Sequence, residues 1–150
     1  MKSLRLVDLP PVWGALFFVL IAIWARAVPL APLPGWTVDL GRALMLLGVG
    51  WMGWAAWFFW RRRTPIEPRH QPRVMIVDGP FRLVRHPIYR GLIWVVLGWA
   101  LTEGEGTGVL LALGYGWLLR ARFAQPEEAT LAAAFPQAFA AWKARVPLQL

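Results

Sequence analysis

Four apolar runs, separated by polar or proline-rich segments, set the outline of this chain: Val12 to Val28, Ala43 to Trp60, Ile88 to Leu101 and Gly108 to Leu119. At about 1.5 Å per helical residue the first two reach about 25 and 27 Å, close to the roughly 30 Å of a hydrocarbon core, and read as full spans. The last two reach only about 21 and 18 Å, so they tilt, thin the bilayer, extend into flanking polar residues or form a partly immersed hairpin. The connection TEGEGT, Thr102 to Thr107, is short and glycine-rich, which favours antiparallel neighbours.

Between the second and third runs, Arg61 to Asp78 is polar and carries Pro65, Pro68 and Pro72, which break any helix. Within it Val74 to Val77 is a short apolar patch, a candidate strand or interfacial stretch, ending at the turn-like Asp78-Gly79-Pro80. After Arg120 the pattern predicts a new helix beginning at Pro126, with Glu127 and Glu128 in its first turn. Leu131, Phe135, Phe139 and Trp142 then recur at helical spacing, an amphipathic face with a bend at Pro136.

Composition fits this outline. The chain has 150 residues, 58% of them hydrophobic, with eleven tryptophans and only 16% charged residues, against roughly 25% in soluble domains. The expected fold is all-α: a polytopic membrane bundle of about four helices, the last two a short hairpin, with a cytoplasmic C-terminal amphipathic helix. One domain spans 1–150, divisible into a first helical pair (1–63) and a motif-bearing part (64–150). A cleaved signal peptide is the rival reading of the first run, since Lys2 and Arg5 precede it and Ala25-Arg26-Ala27 imitates a cleavage site. The run's length and the three that follow favour a retained span.

Charge sets orientation. With both termini cytoplasmic, only Arg26 and Arg42 fall on the opposite side, together with the acids Asp39, Glu103 and Glu105. Trp13, Trp36 and Trp60, near run ends, suit an interfacial belt, whereas Trp54 and Trp57 are expected between helices. Gly48, Gly50 and Gly53 are expected to permit close helix packing. The net charge of +8 would suggest nucleic acid only if it lay on a solvated soluble face; here it flanks apolar spans. No cysteine is present and the only serine is Ser3, which excludes thiolate chemistry and leaves no serine nucleophile in the motif-bearing part. His70 and His86 lack ligand spacing, so no metal is expected.

Two constellations carry chemistry. The stretch GPFRLVRHPIYRG, Gly79 to Gly91, sets Arg82, Arg85, His86, Tyr89 and Arg90 at a membrane boundary, donors suited to carboxylates and phosphates. As a plain lipid anchor it would need neither an imidazole nor the proline that starts a helix. Glu127 and Glu128 are the second constellation; helix-dipole compensation explains them in part. Together the clusters suit a zwitterionic, nucleoside-bearing ligand: a carboxylate holds ribose hydroxyls or an ammonium group, and Arg85 or His86 holds a carboxylate.

The order and separation of these pieces, from Thr64-Pro65 through Gly79-Pro80-Phe81-Arg82 and Arg85-His86-Pro87-Ile88-Tyr89-Arg90-Gly91 to Glu127-Glu128, resemble the integral membrane methyltransferases of the isoprenylcysteine carboxyl methyltransferase and phospholipid methyltransferase group. The resemblance covers roughly residues 64 to 147. It implies S-adenosylmethionine as cofactor, bound at the cytoplasmic face by Gly79, Arg82, Arg85, His86, Tyr89, Glu127 and Glu128, and a lipid or lipid-like acceptor in the membrane. His86 and Arg90 are the candidate catalytic residues, Arg90 for a carboxylate or phosphate of the acceptor. A carboxylate acceptor is already ionised, whereas an amine must lose a proton to a base such as His86 or a glutamate. The tail departs from the group's pattern, with Phe139 and Trp142 where tyrosines are usual. A bacterial inner membrane is the expected location, and a noncatalytic lipid- or partner-binding membrane protein is the competing reading.

Overall fold

A computed structural model of the chain describes residues 9–63 and 74–147, and everything in it is helix, turn or coil apart from one isolated bridge between Pro32 and Glu105. The helices are α1 (Pro10–Ala27), α2 (Trp36–Arg61), α3 (Pro87–Thr102), α4 (Gly108–Leu119), α5 (Gln125–Ala134) and α6 (Pro136–Arg145). A 3₁₀ turn, Gly79–Arg82, precedes α3, and a π turn, Arg120–Ala124, joins α4 to α5. The polar segment with Pro65, Pro68, His70 and Pro72, the basic residues Lys2 and Arg5, and the Thr64-Pro65 pair all lie outside the described residues.

Prolines open the elements. Pro10, Pro87 and Pro136 each stand in the first turn of a helix, where the missing N–H has no intrahelical partner to lose and the fixed φ is already helical. α1 and α2 are both long and apolar enough to cross a membrane, while α3 is apolar but shorter. α2 starts seven residues before its apolar run, because Gly35 and Pro34 end the preceding loop and the first turns carry an exposed Asp39–Arg42 pair at 3.1 Å.

α3 is the central helix: α2 packs along one side of it, and α1 and α4 pack on the other. The α2–α3 contact rests on glycine. A Cβ added at Gly48 would stand 2.7 Å from the Gly91 carbonyl oxygen, and one added at Gly91 would stand 2.8 Å from that of Gly48. Gly41 and Gly98 repeat the contact two turns away, with a Cβ at Gly98 placed 2.5 Å from the Gly41 oxygen. Seven-residue spacing keeps each pair of glycines on one helix face, so backbone meets backbone at both points. Gly50 and Gly53 do not take part in this packing, since nothing lies within 4 Å of a Cβ at either. With the glycine stripe turned to α3, Trp54 and Trp57 fall on the outer face at 43% and 53% exposure rather than between helices. Trp51 and Trp94 pack in their place, ring centroids 5.5 Å apart.

On the other side of α3, Ile21, Val96, Ala100, Ala112, Tyr115 and Leu119 form the main apolar core. The Tyr115 hydroxyl, fully buried, donates to the Pro10 carbonyl at 3.0 Å and fixes α4 to the start of α1. At the far end of the bundle the loops are clasped together. Glu105, buried, accepts from Ala31 N at 2.7 Å, Gly108 N at 3.1 Å and the Thr107 hydroxyl, and Leu33 N donates to the Gly104 carbonyl at 2.8 Å. Arg26 meets Glu103 at 3.0 Å beside it, and the Trp24 indole donates to Thr107.

Two expectations are corrected. The helix does not restart at Pro126: α4, the π turn and α5 run on without a break from Gly108 to Ala134. A proline there would ordinarily clash with the carbonyl four residues back, and the wider π turn, one residue longer, relieves that clash. Of the two alternatives for Val74 to Val77 the strand is not formed; the segment is coil whose Ile76 packs with Ala55, Phe81, Phe139 and Trp142. The break at Pro136 and the buried face of α6 are as the periodicity predicts.

The glycine contacts give a direct test. Gly48→Ala forces two backbones apart and is expected to destabilise the detergent-solubilised protein by about 1–3 kcal/mol. Gly50→Ala and Gly53→Ala, in open space, leave the thermal midpoint unchanged or raise it; equal losses at all three positions would contradict the packing.

Candidate functional site

The segment Val84 to Arg90 enters α3 through His86, the residue just before the helix, and Pro87, its first residue. This entry sets Arg85 and His86 beside the first turn of α5, where Glu127 and Glu128 stand. Arg85 Nη1 donates to Glu128 Oε1 at 2.8 Å and Oε2 at 2.9 Å. His86 Nε2 lies 3.2 Å from Glu128 Oε1, and its Nδ1 lies 3.5 Å from Glu127 Oε2. The Tyr89 hydroxyl donates to Glu127 Oε2 at 2.9 Å, and its ring stacks on His86 with centroids 5.4 Å apart and planes at 14°. Lys143, from α6, stands 3.5 Å from Glu128 Oε2.

The predicted site residues therefore divide. Arg85, His86, Tyr89, Glu127 and Glu128 converge, and they bind one another directly. Gly79 and Arg82 sit on the 3₁₀ turn: Gly79 has φ +57° with the Phe58 ring where a Cβ would be, and Arg82 is exposed and is not in contact with the glutamates. Gly79 thus has a full account in turn geometry and packing. Arg90, one helical turn after His86, lies over the Trp94 ring at 5.1 Å, on the side of α3 that packs with α2.

Burial and charge act against each other here. Burial alone would depress the His86 pKa; its hydrogen bonds to Glu127 and Glu128, and their charges, outweigh burial and raise it above 6.5. Burial likewise pushes Glu128 up, but the His86 bond and the charges of Arg85, His86 and Lys143 bring it below 4.5. The arrangement places the imidazole between two carboxylates, which favour its protonated form.

Beside Glu128 opens a cavity of about 410 Å³, walled by Arg85, Arg120, Gln125, Glu128, Phe139 and Lys143. Arg85 Nε is buried and has no hydrogen-bond partner among the described residues. The sequence reading counted Arg120 and Lys143 only toward membrane orientation and passed over Gln125; no local motif marks them, because they reach the cavity from separate elements. The α6 helix closes one side through the Trp142 indole, which donates to the Phe81 carbonyl at 2.9 Å. A tryptophan N–H thus docks the tail. Among the described residues no group of three or more His, Cys, Asp or Glu side chains is placed to hold a metal ion.

Residues 36–138 match the family model described as phospholipid methyltransferase, a stretch that begins with α2 and ends inside α6. No curated protein matches the sequence.

The two shifts predict a pH profile for stability. His86, raised on folding, contributes fully below pH 6.5 and loses its contribution as pH rises through its folded value; Glu128, lowered, contributes fully above pH 4.5 and loses it as pH falls through its folded value. Thermal midpoints of the wild type are expected to be highest between pH 4.5 and 6.5. His86→Gln removes the decline on the alkaline side, and a variant that retains it would show that another group titrates.

Proposed function

The chain belongs to the phospholipid methyltransferase family, membrane enzymes that transfer methyl groups to a lipid-type acceptor, and from that premise we propose that S-adenosylmethionine is its donor and that the cavity beside Glu128 is where the donor binds. The observation that carries this reading is the cluster of Arg85, His86, Tyr89, Glu127 and Glu128, of which Arg85 and Glu128 line a cavity of about 410 Å³, within the roughly 300–1,000 Å³ typical of small-molecule sites. Its lining suits the ligand: cations for a carboxylate, Gln125 and the Phe139 ring for a base.

What S-adenosylmethionine supplies is a methyl group on a sulfonium centre, displaced in line by the acceptor's nucleophile. The protein's part is alignment and exclusion of water. His86 acts by position: set between the carboxylates, it orients both of them. An amine acceptor must lose a proton, to His86 or to a glutamate. Glu127, its side chain 35% exposed, is the carboxylate with an outlet to solvent for such a proton. Arg90 binds the acceptor's phosphate or carboxylate, with the acyl or prenyl part in the bilayer. In this reading helices α1 to α4 cross or enter the membrane, and the preponderance of Lys and Arg at the site end supports a cytoplasmic side for that end, with both termini and α5–α6.

Purified protein supplied with methyl-labelled S-adenosylmethionine and total membrane lipid is expected to move label into the lipid extract; donor binding with no label in lipid would overturn the acceptor assignment. His86→Gln and Glu128→Gln are expected to weaken donor binding by calorimetry about tenfold or more, near 1.4 kcal/mol. Arg90→Leu raises the KM for lipid and leaves donor affinity intact, and the reverse pattern would remove Arg90 from the acceptor site.

A further inference from the structure

The cavity beside Glu128 has an imbalance that the motif residues do not explain. Three cations line it, Arg85, Arg120 and Lys143, against the single carboxylate of Glu128. That carboxylate is already engaged on both oxygens: Oε1 by Arg85 and His86, Oε2 by Arg85 and Lys143. The wall therefore keeps an excess of positive charge, which favours an anionic group in the space it encloses.

The cations are brought there by different parts of the fold. Arg85 precedes α3, Arg120 opens the π turn after α4, and Lys143 stands on α6 with its aliphatic stem beside Phe139, Nζ 5.6 Å from the ring centre. Arg120 and Lys143 belong to neither of the two motifs, and Lys143 lies beyond residue 138, where the family match ends. We propose that Arg120 and Lys143 form a carboxylate clamp for the amino-acid end of the methyl donor, a specificity element outside the family motifs; this rests on the reading of the cavity as the donor site.

A phosphate from a lipid headgroup would satisfy the same cations. The remaining walls favour the donor. Ala129 and Ala132 leave a smooth, shallow surface, Phe139 offers a buried ring, and Gln125 offers an amide with both donor and acceptor. A ligand with a carboxylate at Arg120 and Lys143, a polar edge at Gln125 and a flat heterocycle at Phe139 uses all of these walls, and a lipid phosphate uses only the first. Both cations are exposed at the surface, Lys143 with 52% of its side chain accessible, so each is free to swing onto a ligand without opening the core.

Calorimetry on the full-length protein in detergent tests the clamp, with S-adenosylmethionine and its decarboxylated analogue as probes. Arg120→Gln combined with Lys143→Gln is expected to weaken S-adenosylmethionine binding about tenfold or more and to leave the decarboxylated analogue's affinity as in the wild type. Arg145→Gln, an exposed charge change on the same helix, is expected to alter neither. Equal weakening of both probes, or no change in either, overturns the clamp while leaving the donor site standing. A rise in lipid KM with donor affinity unchanged assigns the cations to the acceptor's phosphate and overturns it as well. Failure of the wild type to bind either probe overturns the donor reading itself.

Discussion

Two neighbouring carboxylates on one turn of α5 cannot be brought into a half-buried site unless cations meet them, and the architecture at this end of the molecule follows from that requirement. Removing a charge from water costs several kcal/mol before any partner is counted. Arg85 and His86 supply the partners, and only the entry through Pro87 aims both of them at α5 while α3 runs away into the bundle. Tyr89, one turn further, donates its hydroxyl to Glu127. The π turn belongs to the same arrangement: it lets α4 continue through Pro126, so that the glutamates are carried on a rigid extension of a bundle helix and not on a loop.

Rigid placement also requires that α3 itself be fixed, and the glycine contacts with α2 do this. Bulky side chains would hold the helices apart and leave their sliding position to soft apolar packing. Where backbones touch at two points seven residues apart, a one-residue slip brings Cβ atoms against carbonyl oxygens. The C-terminal third of α2 then has its own cargo, since Phe58, Phe59 and Ala55 receive the 3₁₀ turn and α6. One helix pair thus registers both halves of the candidate site.

Much of this was legible in the sequence. The apolar runs announced the first four helices because the bundle asks little more of those residues than hydrophobicity, and the charged motif stood out because charge is rare in such a chain. What stayed hidden depends on partners distant in sequence. Nothing local distinguishes Gly48, which touches Gly91, from Gly50, which touches nothing. Trp54 and Trp57 were placed between helices on bulk alone, though the face that packs is the one without bulk. Pro126 reads as a helix start because the rule concerns α-helices, and a π turn suspends it. Lys143 and Arg120 look like topology charges until α6 folds back, and Glu105 looks like a loop acid until Ala31 and Gly108 close around it.

That buried carboxylate at the far end gives the bundle a mechanical character. Its bonds reach from the α3–α4 connection into the α1–α2 connection, so both helical hairpins are pinned at the same place and any relative motion of them swings about it. The site end is held instead by ion pairs near water, which ligands can compete for. For a rod of about 39 Å, the length of α2, a tilt of about five degrees about such a pivot moves the free end by roughly 3 Å. A long lever thus turns a small rotation at the clasp into a larger displacement at the site end.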